Sequence, residues 1–152
     1  MALDDNIRAL ASVRLFEGLN AEQLRLLAFG AENIRLVKGR DLYRADTAAD
    51  GAFVVMAGRI ALYRMENSER IVVERHGHGG VLDEMALIVS QRRPYGAFAD
   101  QDGEALRITR TLFRRILDEY PEVAVALRDR IAARFLDMAT RISRLHERFD
   151  PQ

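Results

Sequence analysis

The residues of this chain best suited to chemistry lie in one stretch, from Gly79 to Ala99. Two glycines lead into Glu84-Met85-Ala86-Leu87, a pattern typical of one short helical turn, and the double arginine Arg92-Arg93 follows. A turn that begins after a glycine loop presents unpaired backbone N–H groups and a positive dipole end. An arginine at the same place adds donors that suit phosphate, and Glu84 could accept hydrogen bonds from a sugar hydroxyl. These features predict an anion pocket, although a loose glycine loop before a buried helix is the simpler interpretation of the motif alone.

Other candidates for catalysis or metal binding are weak. His76-Gly77-His78 places two imidazoles in a glycine-rich turn, but no third ligand stands at a fitting spacing. No serine or threonine has a histidine at the spacing of a nucleophile and its base. We therefore predict that the protein is not an enzyme and has no catalytic residues, no metal and no cofactor.

A cluster of arginines in the last third of the chain could contact phosphates or an acidic partner. Asp118, Glu119 and Glu122 lie close by in the sequence and balance their charge. The pattern is therefore more typical of a solvated helix face. The arginines concerned are Arg107, Arg110, Arg114 and Arg115.

Composition predicts an ordinary globular domain. The chain has 152 residues, of which 49% are hydrophobic and 30% charged, enough for one complete core. The 23 basic and 23 acidic residues cancel, so net charge gives no reason to expect binding to nucleic acid or to a membrane surface. The absence of cysteine, of a signal peptide and of an apolar run long enough to cross a membrane predicts a cytoplasmic protein.

Helical patterns occupy both ends of the chain. Residues 3–29 have an apolar face that breaks at Phe16-Glu17-Gly18-Leu19, after which Asn20 can cap a second helix. Near the other end, Thr109 or Thr111 can cap a helix that stops before Pro121. Pro121 then suits the first turn of a last helix to about residue 149.

Between the helical ends the pattern changes to short apolar segments separated by turn residues. Close spacing of many short strands implies a sandwich or a barrel. The predicted strands are Asn33–Val37, Asp41–Tyr43, Ala52–Met56, Arg59–Met65, Arg70–Glu74, Tyr95–Ala99 and Ala105–Thr109.

With this order of elements, the chain resembles the cyclic nucleotide-binding domain family of catabolite-type regulators, protein kinases and gated channels. The resemblance covers about residues 12–135, and implies an α+β, mainly β fold. That fold is an eight-stranded jelly-roll β-barrel flanked by N-terminal helices and a long C-terminal helix. We expect an N-terminal helical segment at 1–30, the barrel at 31–109 and C-terminal helices at 110–152. The matching segments are Phe16–Leu19, Gly39, Asp46–Gly58, Gly79–Arg93, Ile108–Arg110 and Phe113–Leu117.

The family's phosphate-binding cassette typically reads Phe-Gly-Glu-x-Ala-Leu, followed by Arg-Ser/Thr/Ala-Ala. Here the corresponding residues are Leu82-Asp83-Glu84-Met85-Ala86-Leu87 and Arg93-Pro94-Tyr95. Counting back from Ala99, which matches the alanine ending the family's next strand, selects Arg93 over Arg92. The resemblance implies that Arg93 pairs with the cyclic phosphate and that Glu84 takes the ribose 2′-hydroxyl. The backbone N–H of Ala86 would help to hold the phosphate, and Leu82 and Met85 belong to the same predicted site.

Three departures from the family pattern weaken the expected pocket. Asp83 replaces a glycine, and its charge near the phosphate would cost about 1 kcal/mol or more. It could instead pair with Arg92 or Arg93, and so occupy the ligand's own partner. Pro94 offers neither a hydroxyl nor an N–H, and a lost charge-assisted hydrogen bond costs roughly 1.5–3 kcal/mol. Tyr95 replaces a small alanine, and its ring either fills the pocket or stacks on a base.

The last helix carries an apolar seam with heptad spacing. Such a seam favours pairing with a second copy, and a monomer with a solvated helix end is the alternative. With Phe135, Ile142 and Phe149 at one core position of the heptad, Arg134, Arg141 and Arg148 fall at position g. In an antiparallel pair these arginines would face each other, whereas in a parallel pair they would face position e, which holds small residues. We therefore predict a parallel homodimer. The seam consists of Ile131, Phe135, Met138, Ile142, Leu145 and Phe149.

Together these observations predict a non-catalytic regulatory domain whose affinity for cyclic AMP or cyclic GMP is weak or altered. The alternative is a degenerate sensor that binds no nucleotide and acts as a dimeric interaction or scaffold module. A third possibility is a sensor fragment of a longer channel or transcription factor, against which the initial methionine and complete first helix argue mildly. Catabolite-type regulators carry a helix-turn-helix after the long helix, and this chain ends at Gln152 without one. We therefore expect no direct DNA binding and no membrane association.

Overall fold

A computed structural model describes residues 3–149, with the side chains of residues 146–149 outside the description. The chain divides into two compact units, residues 1–116 and 117–152. The helices are α1 (Leu3–Ala11), α2 (Ala21–Gly30), α3 (Arg110–Glu119) and α4 (Pro121–Phe149). Two short 3-10 helices occur at Arg14–Phe16 and at Glu84–Leu87, and the second is called the cassette turn below.

The sequence signals for helix ends are confirmed. The Asn20 side chain accepts a hydrogen bond from Gln23 N, and the Gln23 side chain accepts one from Asn20 N, so a complete capping box starts α2. Thr109 Oγ1 accepts from Leu112 N at 3.1 Å and starts α3. The break between the first two helices was predicted at Phe16–Leu19, but α1 already ends at Ala11, and a 3-10 turn at Arg14–Phe16 precedes the predicted break.

The middle of the chain forms eight strands in one large sheet and one two-stranded sheet. The large sheet has the order β1-β8-β4-β5, with β2 also paired to β8 and β6 to β4, and the small sheet is β3-β7. Every pairing is antiparallel. The strands are β1 (Glu32–Leu36), β2 (Asp41–Tyr43), β3 (Ala48–Ala49), β4 (Gly51–Glu66), β5 (Glu69–His76), β6 (Val81–Leu82), β7 (Gln91–Arg92) and β8 (Gly96–Thr109).

Two pairs of predicted short strands are in fact single long strands. The segments expected on either side of Gly58 form β4, and those expected from Tyr95 to Thr109 form β8. The register between β4 and β8 shifts around Ala57 to Arg59, which is the signature of a β-bulge. Gly58 lies there with φ 79°, and a Cβ on it would collide with the carbonyl oxygen of Asp102. A bulge lets the strand bend without ending, so this glycine marks a kink, not a strand end.

The inner face of the large sheet carries the barrel core. The core residues are Leu36, Phe53, Val55, Ile60, Leu82, Ala97, Ala99 and Ala105, with Ile34, Leu42, Tyr43 and Leu62 packed against them. This arrangement confirms the mainly β, jelly-roll fold flanked by helices. The barrel is not fully closed, because β1 and β2 pair with no described strand other than β8.

The last unit consists mainly of α4. Along it Val123 and Leu127 are buried, whereas the later seam residues Phe135, Met138, Ile142 and Leu145 are 50–71% exposed. Ile131 is half-buried, and the side chain of Phe149 lies outside the described residues. Among the described helices, α4 included, none has the length and apolarity needed to cross a membrane.

Candidate functional site

The backbone around Asp83 is fixed by a strand on one side and the cassette turn on the other. Leu82 ends β6, pairs with Phe53 in β4 and is buried in the core. Asp83 follows with φ 57°, in the left-handed region where glycine is normally favoured and Asp is among the tolerated exceptions. The N–H of Ala86 donates to the carbonyl of Asp83 at 2.9 Å, which closes the turn.

Arg93 is held in place by the β3-β7 sheet. Its N–H donates to the carbonyl of Thr47 at 2.9 Å, and its carbonyl accepts from the N–H of Asp46 at 2.7 Å. Arg92, at the end of β7, instead forms an exposed ion pair with Asp46 at 3.4 Å. The two consecutive arginines therefore have different surroundings, and only Arg93 contacts the residues next to the cassette turn.

Asp83 and Arg93 form an ion pair that is largely shielded from solvent. Arg93 Nε donates to Asp83 Oδ2 at 3.2 Å. The two side chains are only 10% and 13% exposed, for Arg93 and Asp83 respectively. Solvent therefore screens this pair much less than the exposed pair of Arg92.

Two further side chains complete the surroundings of Arg93. The Arg93 guanidinium carbon lies 4.2 Å from the centre of the Tyr43 ring, within cation–π range. Arg93 Nη1 donates to Thr47 Oγ1 at 3.2 Å. Burial, and next the charge of Asp83, raises the pKa of Tyr43 above its ordinary value, although the charge of Arg93 opposes this. Arg93 contacts each of the other three side chains, so Asp83, Arg93, Tyr43 and Thr47 form one cluster.

The cluster is electrically balanced without a ligand. The one carboxylate and the one guanidinium are in direct contact, and burial favours a neutral phenol at Tyr43. A buried cation is stabilised by an anion that also satisfies its hydrogen-bond donors, and Asp83 serves both purposes here. The anion position beside Arg93 is therefore already occupied by a carboxylate of the chain itself.

Glu84 makes a different contact from the one the family resemblance implies. Its Oε1 accepts a hydrogen bond from the backbone N–H of Leu15 at 2.9 Å, 69 residues earlier in the chain. Leu15 belongs to the 3-10 turn between α1 and α2. Glu84 therefore ties the cassette turn to the N-terminal helical segment in this structure.

The other predicted site residues differ in how far they are buried, and none of them has a contact with Arg93 among those described above. Ala86 is fully buried, and its N–H is engaged within the turn, so in this structure it does not have the role of a free phosphate donor. Met85 is 48% exposed and Pro94 is exposed. Tyr95 is half-buried, and the ring that contacts Arg93 is that of Tyr43.

Arg110 is a residue whose position the sequence did not indicate. Its Nη1 donates to the carbonyl of Ala86 at 3.0 Å and to that of Ala49 at 3.3 Å. The interpretation of the arginine cluster as a solvated helix face is therefore wrong for Arg110, which braces the cassette turn. It is also wrong for Arg107, which lies in β8 and pairs with Glu32 and Asp50.

Comparison with known proteins places this arrangement in a family. The family model described as the cyclic nucleotide-binding domain matches residues 33–120, more than half of the chain. The chain belongs to the cyclic nucleotide-binding domain family. The matched segment contains the Asp83–Arg93 cluster and the cassette turn.

Solved structures agree with this assignment. A cyclic nucleotide-binding-like protein from Brucella abortus is 47% identical, with a TM-score of 0.72 over 76% of this chain and 99% of that one. The N-terminal domain of a transcriptional regulator from Streptomyces coelicolor is 23% identical, with a TM-score of 0.79 over 88% of this chain and 94% of that one. The regulatory domain of Toxoplasma gondii PKA, crystallised with cAMP, is 19% identical, with a TM-score of 0.68 over 75% of this chain and 44% of that one.

Curated relatives are much longer proteins. The lysophospholipase NTE1 of Candida albicans is 28% identical over 125 residues, which is 79% of this chain and 9% of that protein. The neuropathy target esterase sws of Drosophila melanogaster is 28% identical over 78% of this chain and 8% of that protein. This chain thus spans less than a tenth of the length of these relatives.

Proposed function

We propose that this chain is a non-catalytic regulatory domain with weak affinity for cyclic AMP or cyclic GMP. The Asp83–Arg93 ion pair, at 3.2 Å between two largely buried side chains, carries the proposal. In the family pattern Arg93 is the partner of the cyclic phosphate, and here that partner is already paired. A cyclic nucleotide must displace Asp83 before its phosphate can bind in the same way.

Asp83 opposes the ligand in two ways. The ligand must first break a charge-assisted hydrogen bond, which contributes roughly 1.5–3 kcal/mol. A displaced carboxylate that stays near the phosphate adds repulsion of about 1 kcal/mol or more. Within residues 3–145 the Nη2 atom of Arg93 has no hydrogen-bond partner, so a weak contact with a ligand phosphate remains available.

The ribose side of the proposed site is tied to the N-terminal segment. Glu84 Oε1 accepts from Leu15 N, and the second carboxylate oxygen can accept from a ribose hydroxyl at the same time. Both bonds then depend on the orientation of one side chain, which links ligand binding to the turn at Arg14–Phe16. We propose that occupancy of the site is passed to the N-terminal segment through this side chain, as well as to the C-terminal helices.

Two further observations support a cyclic nucleotide as the ligand class and the cytoplasm as the location. The Toxoplasma gondii domain of the same fold is described in complex with cAMP, which supports a cyclic nucleotide as the first ligand to test. The chain contains no cysteine, which supports a cytoplasmic location. The proposal includes no direct contact with DNA or with a membrane.

A second candidate is a dimeric scaffold that binds no nucleotide at all. The observation that favours it is the seam of α4, where Phe135, Met138, Ile142 and Leu145 are 50–71% exposed. A continuous apolar stripe of this kind is typical of a helix that pairs with another helix. In that case the Asp83–Arg93 pair would be a permanent part of the fold.

Calorimetric titration of the unmodified protein with cyclic AMP and cyclic GMP separates the candidates. A measurable dissociation constant weaker than micromolar supports the weak sensor. Complete absence of binding by either nucleotide supports the scaffold. Binding at micromolar concentration or tighter would contradict both, because it would require that Asp83 does not obstruct the ligand.

A further inference from the structure

Arg110 contacts the two chain segments that carry the Asp83–Arg93 ion pair. One of them is the cassette turn, where Arg110 Nη1 donates to the carbonyl of Ala86 at 3.0 Å. The N–H of Ala86 donates in turn to the carbonyl of Asp83 at 2.9 Å. Ala86 is fully buried, so solvent does not compete for these bonds. Ala86 therefore connects the guanidinium of Arg110 to the backbone of Asp83.

The other segment is the small β3-β7 sheet. The same Nη1 atom of Arg110 donates to the carbonyl of Ala49 in β3 at 3.3 Å. Ala49 lies opposite Gln91 of β7, two residues before Arg93 in the chain. Thr47, whose hydroxyl accepts from Arg93, precedes Ala49 by two residues. One guanidinium nitrogen is thus bonded to the segments on both sides of the ion pair.

The first turn of α3 holds Arg110 in place. Its backbone N–H donates to the carbonyl of Asp50 at 2.7 Å, and the hydroxyl of Thr109 caps the same turn. Phe113, one turn further on, is fully buried, with its ring centre 5.3 Å from that of Phe16. The position of Arg110 is therefore set by contacts outside the cassette turn and outside the β3-β7 sheet.

The two halves of the ion pair are not joined by strand pairing. Within the described part of the chain, β3 and β7 pair only with each other, and β6, which leads into the cassette turn, pairs only with β4. The bond from Arg93 Nε to Asp83 Oδ2 is 3.2 Å long, and such a bond weakens quickly once it lengthens further. A contact that fixes the spacing of the two segments therefore controls the strength of the pair.

We propose that Arg110 is a positioning residue that keeps Asp83 within bonding distance of Arg93. It acts through the carbonyls of Ala86 and Ala49, and so sets how strongly Asp83 competes with a ligand phosphate. The statement about the phosphate rests on the proposed function, whereas the statement about the ion pair does not. An arginine that only stabilised the fold would leave the ion pair unchanged when it was replaced.

Hydrogen exchange at the Nε–H of Arg93, measured without nucleotide and well below the unfolding temperature, tests the positioning. Arg110→Gln should raise the exchange rate at least about fivefold, a typical coupling between groups of one hydrogen-bond network. Arg110→Lys keeps a cationic donor and should give an intermediate rate. Arg107→Gln is the matched control, because Arg107 also has two partners, the side chains of Glu32 and Asp50, which belong to neither segment. It should lower the midpoint of thermal unfolding and leave the exchange rate unchanged.

Calorimetry with cyclic AMP tests the competition by a double-mutant cycle. The gain in affinity expected from Asp83→Gly should shrink at least about fivefold when Arg110→Gln is also present, because the pair is then already weakened. A gain of the same size in both backgrounds would overturn the inference. Equal exchange rates in Arg110→Gln, Arg110→Lys and the unmodified protein would also overturn it. Absence of cyclic AMP binding in every variant would refute the proposed function alone, since the exchange rates would still decide the role of Arg110.

Discussion

The replacement of Asp83 by glycine should turn a weak site into a stronger one. The change removes the carboxylate that pairs with Arg93 at 3.2 Å. A ligand phosphate would then form its bond to Arg93 without first breaking another. Glycine also suits the local backbone, because Asp83 has φ 57° and a side chain in that region costs roughly 1–2 kcal/mol.

The size of the effect follows from the burial of the pair. Since both side chains are 10–13% exposed, the bond is not strongly screened, and the usual value of roughly 1.5–3 kcal/mol for a charge-assisted hydrogen bond applies. At about 1.4 kcal/mol for each factor of ten, cyclic AMP affinity should rise about 10- to 100-fold. Without ligand, Asp83→Gly should have a lower free energy of unfolding than the unmodified protein, because Arg93 loses the carboxylate that pairs with it. Cyclic AMP should restore part of that free energy, because its phosphate replaces the carboxylate.

Calorimetry and thermal unfolding with and without cyclic AMP measure both effects. Asp46→Gly is a matched control, because Asp46 also has positive φ, 62°, and also pairs with an arginine, but is 83% exposed. Adding Arg93→Gln to the Asp83→Gly variant should abolish the gain. An affinity gain equal in the Asp46 and Asp83 variants, or one that survives Arg93→Gln, would refute the reasoning.

Three other predictions follow from the contacts described above. Glu84→Ala should lower the free energy of unfolding by about 1.5–3 kcal/mol, because the hydrogen bond from Leu15 N is lost. Glu84→Gln keeps an acceptor and should lower it by less. Equal midpoints of urea unfolding for the unmodified protein and the two variants would contradict this prediction. Burial and the charge of Asp83 raise the pKa of Tyr43, so the free energy of unfolding should hold up to pH 10, near the ordinary tyrosine pKa of 10.0, and fall above it. Tyr43→Phe should reduce this alkaline loss, as measured by urea unfolding at several pH values. The same pH dependence in Tyr43→Phe and the unmodified protein would contradict the prediction. Leu145→Cys, the only cysteine in its chain, should form a disulfide-linked dimer on oxidation if α4 pairs in parallel, whereas an antiparallel pair would keep the two thiols apart and leave monomers.

Local signals in the sequence were sufficient for much of the fold. Caps at Asn20 and Thr109, and Pro121 at the start of α4, act within one helical turn, so they can be recognised without knowledge of the tertiary structure. The cassette turn at Glu84–Leu87 was likewise predicted from its own residues. By contrast, Gly58 indicated a reversal, because its role in a bulge depends on pairing with β8.

The site itself was only partly predictable. The sequence left open whether Asp83 pairs with Arg92 or with Arg93, and the structure shows the pair with Arg93. The bond between Glu84 and Leu15 N joins residues 69 positions apart, and no local pattern indicates it. Tyr43 and Thr47 contact Arg93, but they come from chain segments that only the sheet topology brings close to it. The pairing register of β2 and β3 would have been the most useful sequence signal for predicting these contacts.

The account depends most on whether Asp83 occupies the anion position beside Arg93 in solution. The Nε–H resonance of Arg93, assigned through its loss in Arg93→Gln, reports this contact directly. We expect a slowly exchanging Nε–H in the unmodified protein, little changed by cyclic AMP at concentrations below its dissociation constant, and rapid exchange in Asp83→Asn. A resonance that exchanges equally fast in the unmodified protein and in Asp83→Asn would show that the ion pair does not form, and would contradict the account.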